Sequence, residues 1–290
     1  MYGIKTTCTC IECFGKGIFS FIERIGIPEE KKLEAVKEVL AMLSGADYTL
    51  PPPLHADKCY QILTPYGNGI KDPFKKEKDR STECAWQLLD EIREKLAAFP
   101  DPWEGALRLA IAGNIIDFGV NTNFNIDDAK KLVSDALNMP LDQEAMELLH
   151  RKMEEAANIL YIVDNCGEAV FDSYFIRLYS SRITVAVRGK PTLNDVTMEE
   201  AAASGLTNAA SRVIDTGDSV PGVWLPYTSA EFRKAFDEAD FCIAKGQGNL
   251  ETLRGCGKPI FFLFRAKCPV VARNAGNVEI GSCQIRHENI

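Results

Sequence analysis

The feature that most constrains the fold is an alternation of short apolar runs and helical stretches, which starts near residue 158 of this 290-residue chain. The apolar runs lie at residues 158–163, 182–187, 212–214, 240–244 and 259–264. Helical patterns follow them at about 168–179, 198–203, 229–238 and 250–255. This order predicts a largely parallel sheet with helices on both faces, a three-layer α/β/α domain of the Rossmann-like kind.

The first half of the chain has helical patterns instead. Pro28 and the acidic residues after it suit a helix start, and Gly45 suits its end. Leucine and valine recur between them at helical spacing, at Leu33, Val36, Leu40 and Leu43. Residues 50–54 are proline-rich and predict a break, and further helices are expected from Ser81 and over 103–118, 126–137 and 141–157. We therefore expect a small helical lobe (1–50), a helical domain (51–157) and an α/β domain (158–290).

Charge and hydropathy exclude several classes of partner. The net charge is -8, from 33 basic and 41 acidic residues, and no basic block forms a nucleic-acid footprint. An anionic metabolite remains compatible, because a few converging cations or a metal ion suffice to bind it. No apolar run approaches the length of a membrane span, and the N-terminus lacks a signal-peptide core. A cytoplasmic protein without a membrane partner is expected; the sequence assigns no oligomeric state.

Polar residues follow each predicted strand. In open α/β sheets, ligands bind beyond the carboxyl ends of the strands, so these loops are expected to converge. They are Asp164-Asn165-Cys166-Gly167-Glu168, Arg188-Gly189-Lys190-Pro191, Asn194-Asp195-Val196-Thr197, Asp215-Thr216-Gly217-Asp218-Ser219, Lys245-Gly246-Gln247-Gly248-Asn249 and Arg265-Ala266-Lys267.

The mixture of carboxylates and an amide predicts a site for a hard divalent cation such as Mg²⁺ or Mn²⁺. Asp164, Asn165 and Asp195 form an incomplete oxygen shell that leaves positions for a phosphate oxygen and an attacking water. Lys267 is expected to neutralise the phosphoryl group.

Further residues of these loops are expected to contact the substrate. Lys245 offers a second positive charge, and the turn formed by Gly246 and Gly248 lets backbone N–H groups approach a phosphate. Gly217 and Ser219 follow the third strand at the same edge. The predicted partner is a small phosphorylated metabolite.

Each of these residues also has a structural interpretation. Asp164 and Asn165 are common helix caps, and Glu168 suits a first helical turn. Asp195 is explicable as a turn residue, although Thr197 and Glu200 already form a capping box for that helix. Isolated lysines are usually solvated. The functional hypothesis therefore depends on the coincidence of these residues at one edge of the sheet.

A polar residue interrupts one apolar helical face. Asn114 shares its face with Leu107, Ile111 and Phe118, and Asp117 lies beside it. A buried amide needs partners, so Asn114 either ties the helix to its neighbours or reaches the site.

The N-terminal motif Cys8-x-Cys10-x-x-Cys13 resembles half of a zinc or iron–sulfur site. A complete site requires another ligand, such as Cys59 or Cys84, which only the fold can bring close. Cys10 and Cys13 are therefore candidates for a second metal site or a redox site.

The chain resembles the damage-control phosphatase family (domain of unknown function 89, acidic-residue methyltransferase-like), in its shorter, cysteine-bearing branch. The motifs that carry this resemblance are Asp72-Pro73-Phe74, Gly113-Asn114-Ile115-Ile116-Asp117, Asp164-Asn165-Cys166-Gly167-Glu168, Asn194-Asp195-Val196-Thr197, Lys245-Gly246-Gln247-Gly248-Asn249 and Lys267-Cys268-Pro269. Where the longer branch has an Arg-Thr-x-Lys string, this chain has Arg265-Ala266-Lys267.

The resemblance implies a helical N-terminal region joined to a Rossmann-like domain. It also implies a metal-dependent phosphatase, served by manganese, nickel or cobalt, that acts on sugar phosphates or phosphopantetheine-like metabolites. By motif, Asp164, Asn165 and Asp195 would bind the metal and Lys267 the phosphate. The remaining family positions, which would contact the substrate, are Glu168, Asn114, Asp117 and the loop from Lys245 to Asn249.

Two other functions are compatible with the sequence. An S-adenosylmethionine-dependent carboxyl methyltransferase would use a glycine-rich loop after the first strand, where this chain has Asp164-Asn165-Cys166. A non-catalytic metabolite-binding or redox-sensing protein would depend on Cys10 and Cys13 and not on Asp195. In a phosphatase, Asp164 would act either as a metal ligand or as a nucleophile that forms a phospho-aspartyl intermediate.

Overall fold

The computed structural model of the chain describes residues 2–113, 131, 134–135 and 137–290. Helices dominate the first half: α1 (Cys8–Arg24), α2 (Glu29–Ser44), α3 (Pro52–Leu63), α4 (Lys75–Ala97), α5 (Pro102–Ala112) and α6 (Gln143–Glu155). The second half alternates: β1 (Ile159–Ile162), α7 (Cys166–Ile176), β2 (Ile183–Val187), α8 (Met198–Ala201), α9 (Leu206–Ala209), β3 (Arg212–Asp215), α10 (Ala230–Glu238), β4 (Phe241–Lys245), α11 (Gly246–Leu253), β5 (Ile260–Arg265), α12 (Pro269–Asn274) and β6 (Cys283–Glu288). Over the described ranges, no helix has the length and apolarity that a membrane span requires.

The six strands form one sheet in the order β3-β2-β1-β4-β5-β6. The first five strands are parallel, and β6 runs antiparallel to β5 at the edge. The predicted α/β class is confirmed, but β6 was not predicted because its polar residues alternate with only two buried ones, Cys283 and Ile285. The strand order reverses between β1 and β4, which opens a crevice at their carboxyl ends.

Helices cover both faces of the sheet. Successive residues of β1 point to opposite sides: Leu160 packs in one core cluster with helices α1, α2 and α3, whereas Tyr161 packs in another with α5, α6 and α7. Each core cluster thus combines helices of the first half with strands of the second. The domain limits at residues 50 and 157 stay a prediction.

Helix starts differ from the sequence prediction at α3, α4 and α11, of which the last begins at Gly246 and not at residue 250, and α1 was not predicted. Helix α3 begins at Pro52, inside the stretch expected to be a break, because proline lacks only an N–H that the first helical turn does not need. Helix α4 begins at Lys75 and not at Ser81, because its polar first turn carries no apolar periodicity. The second helix, predicted from Pro28 to Gly45, is confirmed with those residues as its caps.

The buried face of α2 also differs from the leucine spacing. Ala35, Val39 and Leu43 are buried, while Leu33 is 74% exposed and Leu40 is 57% exposed. The helix therefore packs through a face that includes a small residue, and two of its leucines lie outside the core.

A buried ion-pair network joins the two halves near the crevice. The Lys245 ammonium, at the end of β4, lies 2.8 Å from Asp172 Oδ1, donates to the Ala110 carbonyl at 2.9 Å and contacts Glu168. Tyr161 donates to the same Asp172 oxygen at 2.7 Å. Together these contacts connect α5, α7, β1 and β4.

Burial and ion pairing shift the pKa values of this network in opposite directions. Burial alone disfavours the charged ammonium, but Asp172 and Glu168 raise the pKa of Lys245 above its ordinary value. Burial raises the pKa of Asp172 to about 7, against the opposing effect of Lys245. Lys245 therefore stabilises two carboxylates that are buried in the interior.

Replacing Lys245 with methionine is expected to destabilise the fold by about 3–5 kcal/mol, because it leaves Glu168 and Asp172 buried without their cation. Urea denaturation measures this loss. The matched control is Lys234→Met, since that side chain is 73% exposed and its carboxylate partner lies 3.9 Å away. Equal midpoints for the two variants would show that the network contributes nothing to stability.

Candidate active site

Backbone hydrogen bonds join the loop after β1 to the loop after β2. The Cys166 N–H donates to the Asn194 carbonyl at 3.0 Å, and the Val196 N–H donates to the Asp164 carbonyl at 2.9 Å. Asn165 and Asp195 accordingly pair as an isolated antiparallel bridge. These bonds bring together the three predicted metal ligands, Asp164, Asn165 and Asp195.

Asn165 occupies the N-cap position of α7, but its side chain makes no capping hydrogen bond. Its amide nitrogen donates instead to Asp164 Oδ2 at 3.1 Å and to Glu168 Oε2 at 3.5 Å. Within the described residues, no hydrogen bond uses the amide oxygen. The capping explanation therefore does not account for this side chain, and its oxygen is available to a ligand.

Arg188 is a site residue to which the sequence analysis assigned no role. It is 1% exposed, and its Nε donates to Asp195 Oδ2 at 2.7 Å. One terminal nitrogen donates to Asn249 Oδ1 at 3.3 Å, and the other lies 3.6 Å from Asp164 Oδ1. The sequence signal was an arginine directly after the apolar residues of β2, where a buried charge requires a partner.

The two aspartates lie in a desolvated environment. Burial raises the pKa of Asp164 well above its ordinary value, and the Asp195 charge raises it further, while Arg188 lowers it. Burial likewise raises the pKa of Asp195, and Arg188 opposes this shift. The buried Asp195 and the mostly buried Asp164 thus share one guanidinium, so an additional cation would stabilise their charged forms.

Gly246 shapes the opposite side of this cluster. Its φ of +77° favours glycine, and a Cβ at this position would lie 2.0 Å from Asp164 Oδ2. The end of β4 therefore leaves a space that the Asp164 carboxylate fills.

A cavity of about 500 Å³ opens beside these residues. It is lined by Asp164, Asn165, Asp195, Gly248 and Lys267, and by residues of α1 and α3 on its far side. The backbone N–H of Lys267 donates to Gln247 Oε1 at 3.0 Å, which joins the loop after β5 to α11. The structure thus brings Lys267 and the predicted metal ligands to one cavity.

Other predicted substrate contacts lie elsewhere. The Lys245 ammonium and Glu168 are in the buried network, away from this cavity, because each charge is neutralised by the other. Asn249 is fully buried; it accepts from Arg188, and its amide nitrogen donates to the Lys245 carbonyl at 2.6 Å. These side chains are placed to position the site residues, and their contact with substrate stays a prediction.

Two predicted contacts in the loop after β3, Gly217 and Ser219, do not line this cavity, although Pro221 of the same loop does. The Ser219 hydroxyl donates to Asp57 Oδ1 at 2.7 Å and lines a neighbouring cavity of about 280 Å³. Gly217 packs against Gly189 and Ser229. Asn114 and Asp117 lie outside the described residues.

Cys10 and Cys13 lie in the wall of the 500 Å³ cavity, as does Cys59. The Cys10 sulfur accepts from the Thr7 N–H at 3.5 Å, and burial raises the pKa of Cys13. No group of three or more His, Cys, Asp and Glu side chains is arranged to hold a metal in the part of the chain that the structure describes. The role of the two cysteines stays a prediction.

Comparisons with known proteins relate the whole chain to one group. A model of the damage-control phosphatase ARMT1-like domain matches residues 6–281. A damage-control phosphatase of Pyrococcus horikoshii is 40% identical over 210 residues, which cover 71% of this chain and 71% of that protein. A damage-control phosphatase of Archaeoglobus fulgidus is 29% identical over 96% of this chain and 97% of its own length.

Two further comparisons extend over nearly the full length. An uncharacterized protein of Methanocaldococcus jannaschii is 33% identical over 96% of this chain and 94% of its own length. The crystal structure of a DUF89 family protein from Pyrococcus horikoshii superposes with a TM-score of 0.86 at 32% identity, covering 98% of this chain and 99% of that one. The fold, the full-length match and the identities agree: this chain belongs to the damage-control phosphatase ARMT1-like family, the family of domain of unknown function 89.

Proposed function

We propose that this protein is a divalent-cation-dependent hydrolase of small phosphorylated metabolites, a metabolite-damage phosphatase. Asp164, Asn165 and Asp195 would hold the cation, and Lys267 would bind the phosphate. The observation that carries the proposal is a pair of neighbouring carboxylates, the buried Asp195 and the 13% exposed Asp164, which share one guanidinium beside a cavity lined by a lysine. Two relatives are named damage-control phosphatases, which supports the same activity.

The donor atoms suit a hard divalent ion. Two carboxylates and an amide offer only oxygen atoms, the ligand type of Mg²⁺ and Mn²⁺, and Ni²⁺ and Co²⁺ also accept such ligands. Among the described residues no third carboxylate completes the shell. Such an incomplete shell leaves coordination positions for a phosphate oxygen and a water molecule.

The bound cation would polarise the phosphoryl group and lower the pKa of a water molecule. The protein's own groups act by position. Arg188 holds Asp164 and Asp195 side by side, and Asn249 orients Arg188. Lys267 adds a positive charge at the cavity, where negative charge is to be stabilised in the transition state.

The surroundings of Asp164 favour a metal ligand over a nucleophile. Its Oδ1 faces Arg188 at 3.6 Å, and its Oδ2 accepts from Asn165 and lies against Gly246. Both oxygens are thus held in place, as a ligand requires, and we infer direct attack of water on phosphorus.

The variant Asp164→Ala tests the cation site. With 4-nitrophenyl phosphate and Mn²⁺, the variant is expected to lose about 10²-fold or more of the metal-dependent rate, because one charged ligand is removed. The matched control is Asp215→Ala, at the end of neighbouring strand β3 and outside the residues that line the cavity. Calorimetric titration with Mn²⁺ provides a readout that is independent of turnover.

Chelation is expected to abolish activity of the unaltered protein, and added Mn²⁺ to restore it. Unchanged hydrolysis after chelation, or unchanged Mn²⁺ affinity in Asp164→Ala, would contradict the cation site.

Two glycines with left-handed backbone conformations provide a further test of the cation site. Gly246 and Gly257 have φ of +77° and +88°. A Cβ added at Gly246 would clash with Asp164, whereas a Cβ added at Gly257 would have no atom within 4 Å. Alanine at either position is expected to lower stability similarly, through the left-handed backbone. Only Gly246→Ala is expected to weaken Mn²⁺ binding, by about tenfold or more, because it displaces a ligand.

Thermal melts and Mn²⁺ titrations of both variants separate the two effects. If both alanine variants bind Mn²⁺ equally well, Asp164 does not hold the ion.

A further inference from the structure

We propose that the cavity beside the cation site binds an apolar carbon skeleton, so that the preferred substrates are phosphomonoesters of largely apolar alcohols and not of polyols. This inference rests on the proposed phosphatase function and deepens it. It assigns a role to the wall formed by α1, α3 and the segment 268–270, which the cation chemistry does not use.

The composition of that wall is the first observation. One end of the cavity is charged, with Asp164, Asp195 and Lys267. The rest is lined largely by carbon and sulfur from α1, α3 and α12, notably Phe14, Ile18, Pro53, Ala56, Cys59 and Val270. A volume of about 500 Å³ is typical of a small-molecule site and exceeds the needs of a phosphate group alone. The skeleton of the substrate therefore lies against an apolar surface.

Burial favours the neutral form of three thiols in this wall. Burial raises the pKa of Cys13, of Cys268 and of Cys59, the last to about 11. A neutral thiol behaves as a small apolar group with weak hydrogen bonding. These three side chains thus add to the apolar character of the cavity.

The carboxyl group on this wall is also affected by desolvation. Burial raises the pKa of Glu251 to about 8, and a hydrogen bond with Gln247 opposes the shift. The Gln247 amide is already engaged, because its oxygen accepts from the Lys267 N–H and its nitrogen donates to the Cys268 sulfur. The lining has further polar side chains in Thr9, Lys16, Tyr60 and Asn194, but they lie among a larger number of apolar ones.

Unmatched hydroxyl groups are costly. Each hydroxyl that leaves water without a new partner loses hydrogen-bond energy, whereas each methylene that enters this wall gains from burial. The same cavity therefore discriminates between an alkyl chain and a polyol chain of equal length.

A stability measurement tests the desolvation of Glu251 separately from turnover. Its pKa is raised from 4.5 to about 8, so its contribution to stability is present below pH 4.5 and is lost as pH rises through about 8. The groups that face it are Cys13 of α1 and Cys268 at the start of α12, and Lys267 lines the same cavity. The melting temperature of the unaltered protein is therefore expected to fall, relative to Glu251→Gln, between about pH 5 and pH 9.

A constant difference between the two melting temperatures over that range would show that Glu251 is hydrated, and would overturn the apolar wall.

Two pairs of compounds test the substrate class. Hexyl phosphate and a hexitol 1-phosphate are primary six-carbon esters that differ only in hydroxyl groups. With Mn²⁺, kcat/KM is expected to be about tenfold or more higher for hexyl phosphate. Hexylphosphonate is likewise expected to bind about tenfold or more tighter than methylphosphonate in calorimetry, which does not require hydrolysis.

Variants locate the effect in the wall. Val270→Thr and Ala56→Ser add a hydroxyl with little change in volume, and each is expected to reduce the hexyl preference about threefold or more. Val278→Thr is the control, because Val278 packs near the same core but does not line the cavity. Cooperative melts show that each variant is folded.

The outcomes separate the two proposals. Tighter binding of hexylphosphonate with no hydrolysis of either ester would contradict the phosphatase function and support the apolar subsite. Equal phosphonate affinities, or a preference for the hexitol ester, would overturn the apolar subsite while leaving the phosphatase function intact.

Discussion

The site depends on one electrostatic constraint: the buried Asp195 and the mostly buried Asp164 lie next to each other and share the guanidinium of Arg188. Desolvation raises the pKa of each carboxyl group, and the neighbouring Asp195 charge raises the pKa of Asp164 further. A single cationic partner holds this geometry without neutralising it. A further cation would therefore be stabilised beside the carboxyl ends of β1 and β4.

The surrounding loops and strands hold the two aspartates in position. The loops after β1 and β2 are joined through backbone hydrogen bonds, so the aspartates are fixed by main-chain geometry. Gly246 leaves space for one of them, and the Lys245 network lies beneath the adjacent asparagine through Glu168. Several residues that resemble substrate contacts in the sequence therefore serve to position the site.

The helical first half contributes more than a cover. Helices α1 and α3 form the far wall of the cavity and share a core cluster with the sheet. Their cysteines and apolar side chains face the same space as the charged cluster. Under the proposed function, helices of the first half would contribute to substrate selection, while the loops of the second half would hold the cation.

Much of this organisation could be predicted from local patterns. The five parallel strands, the polar loops after them and the grouping of Asp164, Asn165 and Asp195 at one edge follow from periodicity and from the rule that strand ends carry the chemistry. The capping box of Thr197 and Glu200 is present as predicted. These features are local, because each depends on residues a few positions apart.

Contacts between distant segments could not be predicted from the sequence. Whether Lys245 reaches a cavity or an interior carboxylate depends on α7, and whether Arg188 is solvated depends on the loop that carries Asp195. The edge strand β6 and the exposed leucines of α2 likewise depend on what packs beside them. The sequence by itself determined the order of elements and the chemical types at the strand ends. Only the tertiary structure decided which of those charges are paired inside and which line the cavity, because burial and pairing are properties of neighbours far apart in the chain.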